Sequence, residues 1–328
     1  MKKVALCLTM CLAFSGLSQA QSPKLNLELD EISVSGLSSG GYMATQFHLA
    51  QSDWVTGAGI IAAGPYYCAR NNIRTALEQC VNKLSGSIDL EALNKQADSW
   101  VKEGKLAAFS NLKNSKVWLL NGSKDSKIIG PVNQALFEQY RAWVGDENIE
   151  YVHDKPFAHH FPTLTNGNAC DVSEPPFLGN CGYDAAGELL NFIYPDLQAR
   201  VALTSGKISP IKQQKLGGDA ASSLAHTGYV YIPQSCQQGE SCRLHISFHG
   251  CNQNAEAVGT AYVEQSGFNN WADNNNLVVL YPQTKSSMML PLNPQACWDW
   301  WGYTGDNYAT RDGQQIKAIS QIARSLAK

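Results

Sequence analysis

Glu31-Ile-Ser-Val-Ser-Gly-Leu-Ser-Ser-Gly-Gly-Tyr-Met-Ala-Thr-Gln-Phe-His48 is the stretch that decides the fold. Within it Gly36-Leu37-Ser38-Ser39-Gly40 matches G-x-S-x-G, the elbow in which a sharp strand-to-helix turn lifts a serine hydroxyl to the top of a sheet. Glycines flank the serine because strand and helix approach closely and the serine backbone is strained, so neighbouring Cβ atoms would clash. The flanks supply the context that the pattern needs. Residues 31–35 alternate like a short strand, and residues 41–50 read as a helix with Met43, Phe47 and Ala50 on one face.

Outward from the elbow, residues 56–64 are a buried strand of small and β-branched residues, followed by a loop at Pro65-Tyr66-Tyr67-Cys68. Residues 80–109 are polar, with Leu and Ala at helical spacing, and hold one or two covering helices. Lys116–Leu120 is a strong strand that ends in a turn cluster at 121–125, and residues 131–143 carry apolar side chains at helical spacing. Ile149–Val152 is a further strand, with His159 and His160 in the loop beyond it. A loop at 166–182 bounded by cysteines leads to a helix at Ala185–Ile193. Residues 196–227 lack periodicity and read as a linker or surface wrap. Strands resume at 228–232, Arg243–Phe248 and Leu277–Tyr281, the last two separated by one helix over 255–275. A loop with Trp298, Trp300 and Trp301 precedes a closing helix at Gln314–Leu326. Strands alternating with helices predict an α/β protein with a mostly parallel sheet and helices on both faces.

Residues 1–20 have the build of a secretory leader: Lys2 and Lys3, an apolar run from Val4 to Phe14, and Ser18-Gln19-Ala20 as a cleavage site. The run is too short to span a bilayer, so we expect a secreted protein, extracellular or periplasmic, with no stable membrane association. Of ten cysteines, Cys7 and Cys11 belong to the leader. An even number remains in an exported chain, which argues for disulfides. Local spacing pairs Cys68 with Cys80, Cys170 with Cys181 and Cys236 with Cys242, and elimination pairs Cys251 with Cys297. No C-x-x-C is present and no histidine stands at ligand spacing from these cysteines, so neither a metal nor another cofactor is expected. The net charge of −3 offers no case for a nucleic-acid partner, and a monomer is expected.

A serine hydroxyl is a weak nucleophile. It needs a base within hydrogen-bond reach and a carboxylate that fixes the base's tautomer. In the α/β-hydrolase order, serine is followed by acid and then histidine, each after a strand. Asp125 follows the strand Lys116–Leu120, and the pair His159-His160 follows Ile149–Val152; spacing alone leaves the two histidines open. Of the others, His48 reads as packing, His153 as surface, and His226 as part of the wrap. The charged oxygen of an ester intermediate needs N–H donors, one from Ser39 and one from a loop after another strand. Arg243–Phe248 running into His249-Gly250-Cys251 is that loop, yet it lies more than 200 residues after the serine instead of before it. Circular permutation accounts for this, with residues 196–227 joining the old termini and the closing helix leading back to the strand before Ser38. Three tryptophans beside a cysteine tied to that loop would place aromatic surface at the centre, suited to an uncharged ester.

Five motifs together carry a family resemblance: residues 36–44, Ala-Gly-Pro-Tyr-x-Cys-Ala-Arg at 63–70, His-x-Phe-Pro-Thr at 159–163, His-Gly-Cys at 249–251 and Cys-Trp-Asp-Trp at 297–300. The chain resembles the extracellular poly(3-hydroxybutyrate) depolymerases, most of all the circularly permuted single-domain type known from a fungus. The resemblance implies a permuted α/β-hydrolase domain over 21–328, stapled by disulfides, that acts on a polyester or its oligomers. It makes Ser38 the nucleophile, Asp125 the acid and His159 the base, and prefers His159 because the family's histidine stands two before Phe-Pro-Thr. It implies oxyanion donors on Ser39 and Cys251 and a substrate-binding surface at Trp300, with which we group Trp301 and Tyr66. The sequence departs from the family in lacking a separate substrate-binding domain and in having Trp301 where the fungal relative is not aromatic. An esterase acting on feruloyl or acetyl groups of polysaccharide, and a non-catalytic polymer-binding protein, are the other readings.

Overall fold

The computed structural model describes residues 23–30, 32–83 and 86–328; the expected leader at 1–20 lies outside the described residues. In chain order come β1 (Ile32–Leu37), α1 (Ser39–Ala50), β2 (Val55–Ile61), α2 (Ile73–Gln79), α3 (Leu90–Lys102), β3 (Lys116–Leu120), α4 (Gly130–Val144) and β4 (Ile149–Val152). Three short strands, β5 (Phe161–Thr163), β6 (Asn168–Ala169) and β7 (Leu178–Asn180), make a small sheet of their own before α5 (Ala185–Ile193). The second half adds β8 (Lys207–Lys212), α6 (Gln213–Gly217), β9 (Thr227–Ile232), α7 (Gln234–Gln237) and β10 (Arg243–Phe248). After β10 come α8 (Ala255–Val258), α9 (Ala261–Gln265), α10 (Phe268–Ala272), β11 (Leu277–Tyr281) and α11 (Gln314–Leu326).

The main sheet has eight strands in the order β4-β3-β2-β1-β10-β11-β9-β8, and only β9 runs antiparallel to its neighbours. Both halves of the chain therefore share one sheet, joined where β1 lies parallel to β10 with Ser33 opposite His245 and Gly36 opposite Phe248. Reading β8 to β11 and then β1 to β4 restores the usual strand order of the α/β-hydrolase fold, with β10 ahead of the Ser38 elbow. The ends meet as the permutation requires: Leu25 N–H donates to Leu326 O at 2.7 Å and Lys328 N–H to Leu25 O at 2.9 Å. Helices α1, α4 and α11 cover one face of the sheet, and α5 and α10 the other. All four expected disulfides are formed.

Besides adding short elements such as α2, α7 and the strands β6 and β7 within the loop expected at 166–182, the structure departs from expectation in three larger respects. The wrap at 196–227 contains a strand, β8, which pairs along its whole length with β9. It lies at the sheet's edge, where Pro210 is tolerated; the same proline and the lysines at each end hide it from a search for strands. The single helix expected over 255–275 is three short helices, because Gly259 at φ 62° and Gly267 at φ 94° adopt backbone that ends a helix. Finally, α1 is buried on every side and not on one face alone. Its polar residues are satisfied inside: Gln46 Nε2 donates to Asp299 O at 2.8 Å, and His48 bonds the hydroxyls of Tyr140 at 3.1 Å and Ser115 at 3.0 Å.

A polar network lies within the β1–β10 junction. His245 bonds Ser33 Oγ at 2.6 Å through Nδ1 and Ser35 Oγ at 2.8 Å through Nε2. Burial pushes His48 and His245 down from 6.5 to about 3, and His249 to about 4. These imidazoles stay neutral in the folded protein at pH 5, while in the unfolded chain they take up protons below about 6.5. The unfolded state then binds more protons, so stability must fall as pH drops through that value, by about 1.4 kcal/mol per pH unit for each group. Urea unfolding at pH 7 and pH 5 should give a clearly lower midpoint at pH 5; an equal or higher one would contradict the assignment of buried neutral histidines.

Candidate active site

The elbow is held by contacts that admit only glycine. A Cβ on Gly36 would lie 2.1 Å from Gly40 O, and one on Gly40 would lie 2.3 Å from Phe248 O and 2.4 Å from His249 O. With the helix pressed this closely onto the strand ends, Ser38 takes φ 57° and ψ −121°, a strained conformation that its neighbours enforce. Its N–H donates to Ile61 O at 2.9 Å and its C=O accepts from Tyr42 N–H at 3.0 Å, so the turn is fixed from both sides.

Asp125 sits in the turn after β3. Its Oδ1 accepts from the backbone N–H groups of Lys127 at 2.8 Å and Ile128 at 2.9 Å, and its Oδ2 faces His159 Nδ1 at 2.8 Å. The acid side chain is 1% exposed and the imidazole 10%. The histidine loop is anchored by Ala158 N–H on Cys170 O at 3.0 Å, by Ser173 Oγ on His159 O at 2.8 Å, and by the Cys170–Cys181 bridge. His160 has a different environment. It is buried against Gly179, its Nε2 lies 2.7 Å from Cys170 O, and burial pushes its pKa down. The sulfurs of Cys170 and Cys181 beside it are bonded to each other and offer no thiolate to a metal.

The loop after β10 is braced by its own side chains. Gly250 N–H donates to Gln253 Oε1 at 2.7 Å, and Gln253 Nε2 donates onward to the carbonyls of Pro176 and Phe177, both at 3.0 Å. Cys251–Cys297 and Asn252 N–H on Gln295 O at 2.7 Å tie it to the tryptophan loop. Trp298 N–H in turn donates to Ser39 Oγ at 3.3 Å.

These segments surround a cavity of about 990 Å³ lined by Ser38, Ser39, His159, Gly250 and Cys251 together with Tyr42, Trp300 and Trp301. Trp300 is only 8% exposed and stacks on Tyr42 with ring centroids 4.4 Å apart, so it forms part of the wall and not an open platform. Tyr66, grouped with the substrate-binding residues from the sequence, does not line the cavity. It is buried, with its hydroxyl donating to Ala309 O at 2.7 Å and its N–H to Gln139 Oε1 at 2.6 Å; Tyr42, in the first turn of α1, is the tyrosine at the site. The aliphatic rim also escaped sequence reading: Ile73 and Leu77 on α2, and Leu290 and Leu292 opposite, the last two 94% and 53% exposed.

Asp299, the acid of the Cys-Trp-Asp-Trp motif, organises the loop that carries it. Its Oδ1 accepts from Gly302 N–H at 2.7 Å and Tyr303 N–H at 3.0 Å, and its Oδ2 from Thr304 N–H at 2.7 Å and Thr304 Oγ1 at 2.6 Å. An aspartate three residues before a glycine in a loop is a turn signature, and that signal could have found it. Burial holds its carboxyl above the usual carboxylate range in spite of these donors.

No family model matches the chain. It is 38% identical over 305 residues to a poly(3-hydroxybutyrate) depolymerase of Delftia acidovorans, covering 92% of this chain and 60% of that protein. It is 38% identical over 311 residues to a polyhydroxybutyrate depolymerase of Talaromyces funiculosus, covering 90% of this chain and 89% of that one. The chain thus spans about 60% of the bacterial relative and most of the fungal one. The crystal structure of a PHB depolymerase from Penicillium funiculosum superposes with a TM-score of 0.86 at 35% identity, covering 93% of this chain and 99% of that one. A serine-to-alanine variant of a PHB depolymerase complexed with R3HB trimer gives a TM-score of 0.87 at 35% identity, covering 94% and 99%.

Asp299→Ala should leave five donors of the tryptophan loop, Trp301 N–H on Oδ1 at 3.3 Å included, without their acceptor. A loss of roughly 3 kcal/mol in urea unfolding is expected, with a red shift of tryptophan fluorescence as the loop opens. A variant with unchanged stability and emission would show that the loop is held by its other contacts.

Proposed function

The chain belongs to the poly(3-hydroxybutyrate) depolymerases, and from that premise we propose that it is an exported serine esterase cleaving the ester bonds of poly(3-hydroxybutyrate) or its oligomers. The observation that carries the proposal is the 2.8 Å contact of Asp125 with His159, in the wall of the cavity that Ser38 also lines. A carboxylate accepting from Nδ1–H leaves Nε2 to take the proton of the Ser38 hydroxyl. Ser38 Oγ then attacks the ester carbon, and the backbone N–H groups of Ser39 and Cys251 receive the charge that develops on the carbonyl oxygen. The ester C–O bond breaks, His159 Nε2 returns its proton to the departing alkoxide, and an acyl group remains on Ser38. A water that gives its proton to His159 attacks this acyl-enzyme, releasing a carboxylic acid and restoring the serine.

The lining supports a substrate with an uncharged backbone, since Lys127 is the one Lys, Arg, Asp or Glu among the described residues that line the cavity. The exposed leucines at its mouth favour a water-insoluble one, each worth about 2 kcal/mol when buried against polymer. Residues 1–20 as an export leader, 21–328 as one catalytic domain and a monomeric state complete the reading.

A suspension of poly(3-hydroxybutyrate) tests it. The wild-type protein should clear the suspension, and Ser38→Ala should not while unfolding at the same temperature. Asp125→Asn should lose about 10⁴-fold, as expected when the imidazole tautomer is no longer fixed. A wild-type protein inert on both polymer and hydroxybutyrate trimer, yet active on feruloyl or acetyl esters, would overturn the polyester assignment.

The rim gives a separate expectation. Replacing Leu290 and Leu292 together with serine should slow clearing at least tenfold while changing turnover of p-nitrophenyl butyrate much less. Equal losses on both would mean that the loop supports the cavity and not the polymer.

A further inference from the structure

The cavity lining contains a single Lys, Arg, Asp or Glu among the described residues, and it is Lys127. The rest of the wall is apolar or neutral, so a lone cation stands in surroundings otherwise suited to an uncharged chain. Among the described residues Lys127 makes no ion pair, so no carboxylate of the chain neutralises its ammonium. Its backbone is held on the acid–histidine side, while the exposed side chain lines the cavity. Lys127 N–H donates to Asp125 Oδ1 at 2.8 Å, and Oδ2 of the same carboxylate holds His159. Lys127 is therefore attached to the acid–histidine side of the cavity.

That side has a chemical meaning. The imidazole that deprotonates Ser38 must also protonate the departing oxygen, so the leaving half of the substrate lies toward His159. In a chain of hydroxy acids joined head to tail, the leaving half is the part that runs on to the carboxyl end. When cleavage falls one or two units from that end, the leaving fragment carries a free carboxylate. We infer that Lys127 binds the terminal carboxylate of a hydroxyalkanoate oligomer on the leaving side, favouring attack near the acid end of short chains over attack within a polymer. The ester bond broken and the proton transferred are those of the proposed reaction; Lys127 adds only recognition of charge. The inference rests on the proposed function and deepens it by naming the chain end.

The test compares two soluble substrates, hydroxybutyrate trimer as the free acid and as its methyl ester, which differ in the terminal charge. At low ionic strength the wild-type protein should favour the acid, and Lys127→Gln should lower the acid-to-ester ratio of kcat/KM by about twofold to fivefold, the upper range for an exposed ion pair. Lys127→Glu should lower the ratio further, and Lys127→Arg should restore it. Raising salt to about 1 M should bring the wild-type ratio down toward that of Lys127→Gln, because screening then acts within about 3 Å. A ratio unchanged by Lys127→Gln, including equal losses on both substrates, overturns the inference and leaves the polyester assignment standing. A wild-type protein that turns over p-nitrophenyl butyrate but neither trimer overturns the polyester assignment, and the inference with it.

Discussion

The absence of any side chain at Gly40 is the constraint on which the rest of the site depends. Its Cα faces the carbonyls of Phe248 and His249, close enough that a Cβ would lie 2.3 Å and 2.4 Å from them. The first turn of α1 thus rests directly on the end of β10. One contact sets two things at once: Ser38 is forced into its strained turn, and the His249-Gly250-Cys251 loop is brought beside it. Strain of this kind costs on the order of 1–3 kcal/mol and persists only where the surroundings over-determine it. Here β2 on one side, through Ile61 O, and β10 on the other provide that determination.

A second layer fixes the loops relative to this junction. The Cys251–Cys297 bridge joins the loop after β10 to the tryptophan loop, and Trp298 N–H ties the tryptophan loop back to Ser39 Oγ. Gln46 on α1 reaches Asp299 O at 2.8 Å, while Asp299 N–H reaches Gln315 Oε1 on α11 at 2.8 Å. The loop after β10, the tryptophan loop, α1 and α11 are thereby held together by a disulfide and buried polar contacts. Rigidity of this kind keeps backbone dipoles from reorganising, the condition under which they stabilise developing charge best.

Much of this was legible in the sequence because it is encoded locally. The elbow, the strands Lys116–Leu120, Ile149–Val152, Arg243–Phe248 and Leu277–Tyr281, and the position of Asp125 just past a strand all follow from short-range pattern. What was not legible depends on partners far along the chain. β8 is a strand only because β9 lies beside it; Pro210 and flanking lysines give it no strand character alone. Tyr66 and Tyr42 are alike as residues, and only the fold turns one into the core and the other into the cavity. His159 and His160 are likewise distinguished by geometry, one meeting Asp125 and the other the carbonyl of Cys170.

The permutation places a demand on the central sheet that the buried polar network answers. β1 and β10 are neighbours in space but more than 200 residues apart in sequence, so their pairing is a non-local contact of the kind that slows folding. Two apolar strands brought together late could pair in more than one register, and a slip of one residue would turn every side chain to the opposite face. In this junction such a slip would take His245 away from Ser33 and Ser35, which it meets at 2.6 Å and 2.8 Å, and would leave a buried imidazole without partners. Tyr194, bonded to Ser33 Oγ at 2.9 Å, and Tyr262, bonded to Ser247 Oγ at 2.9 Å, extend the same requirement to the helices that cover that face. An unsatisfied buried polar group costs about 1–3 kcal/mol, so the network penalises misregistration more than its own bonds stabilise the correct one. Register at β1–β10 in turn fixes where Gly40 meets the end of β10, and through that contact the buried serines and histidine, remote from the cavity, determine the position of Ser38.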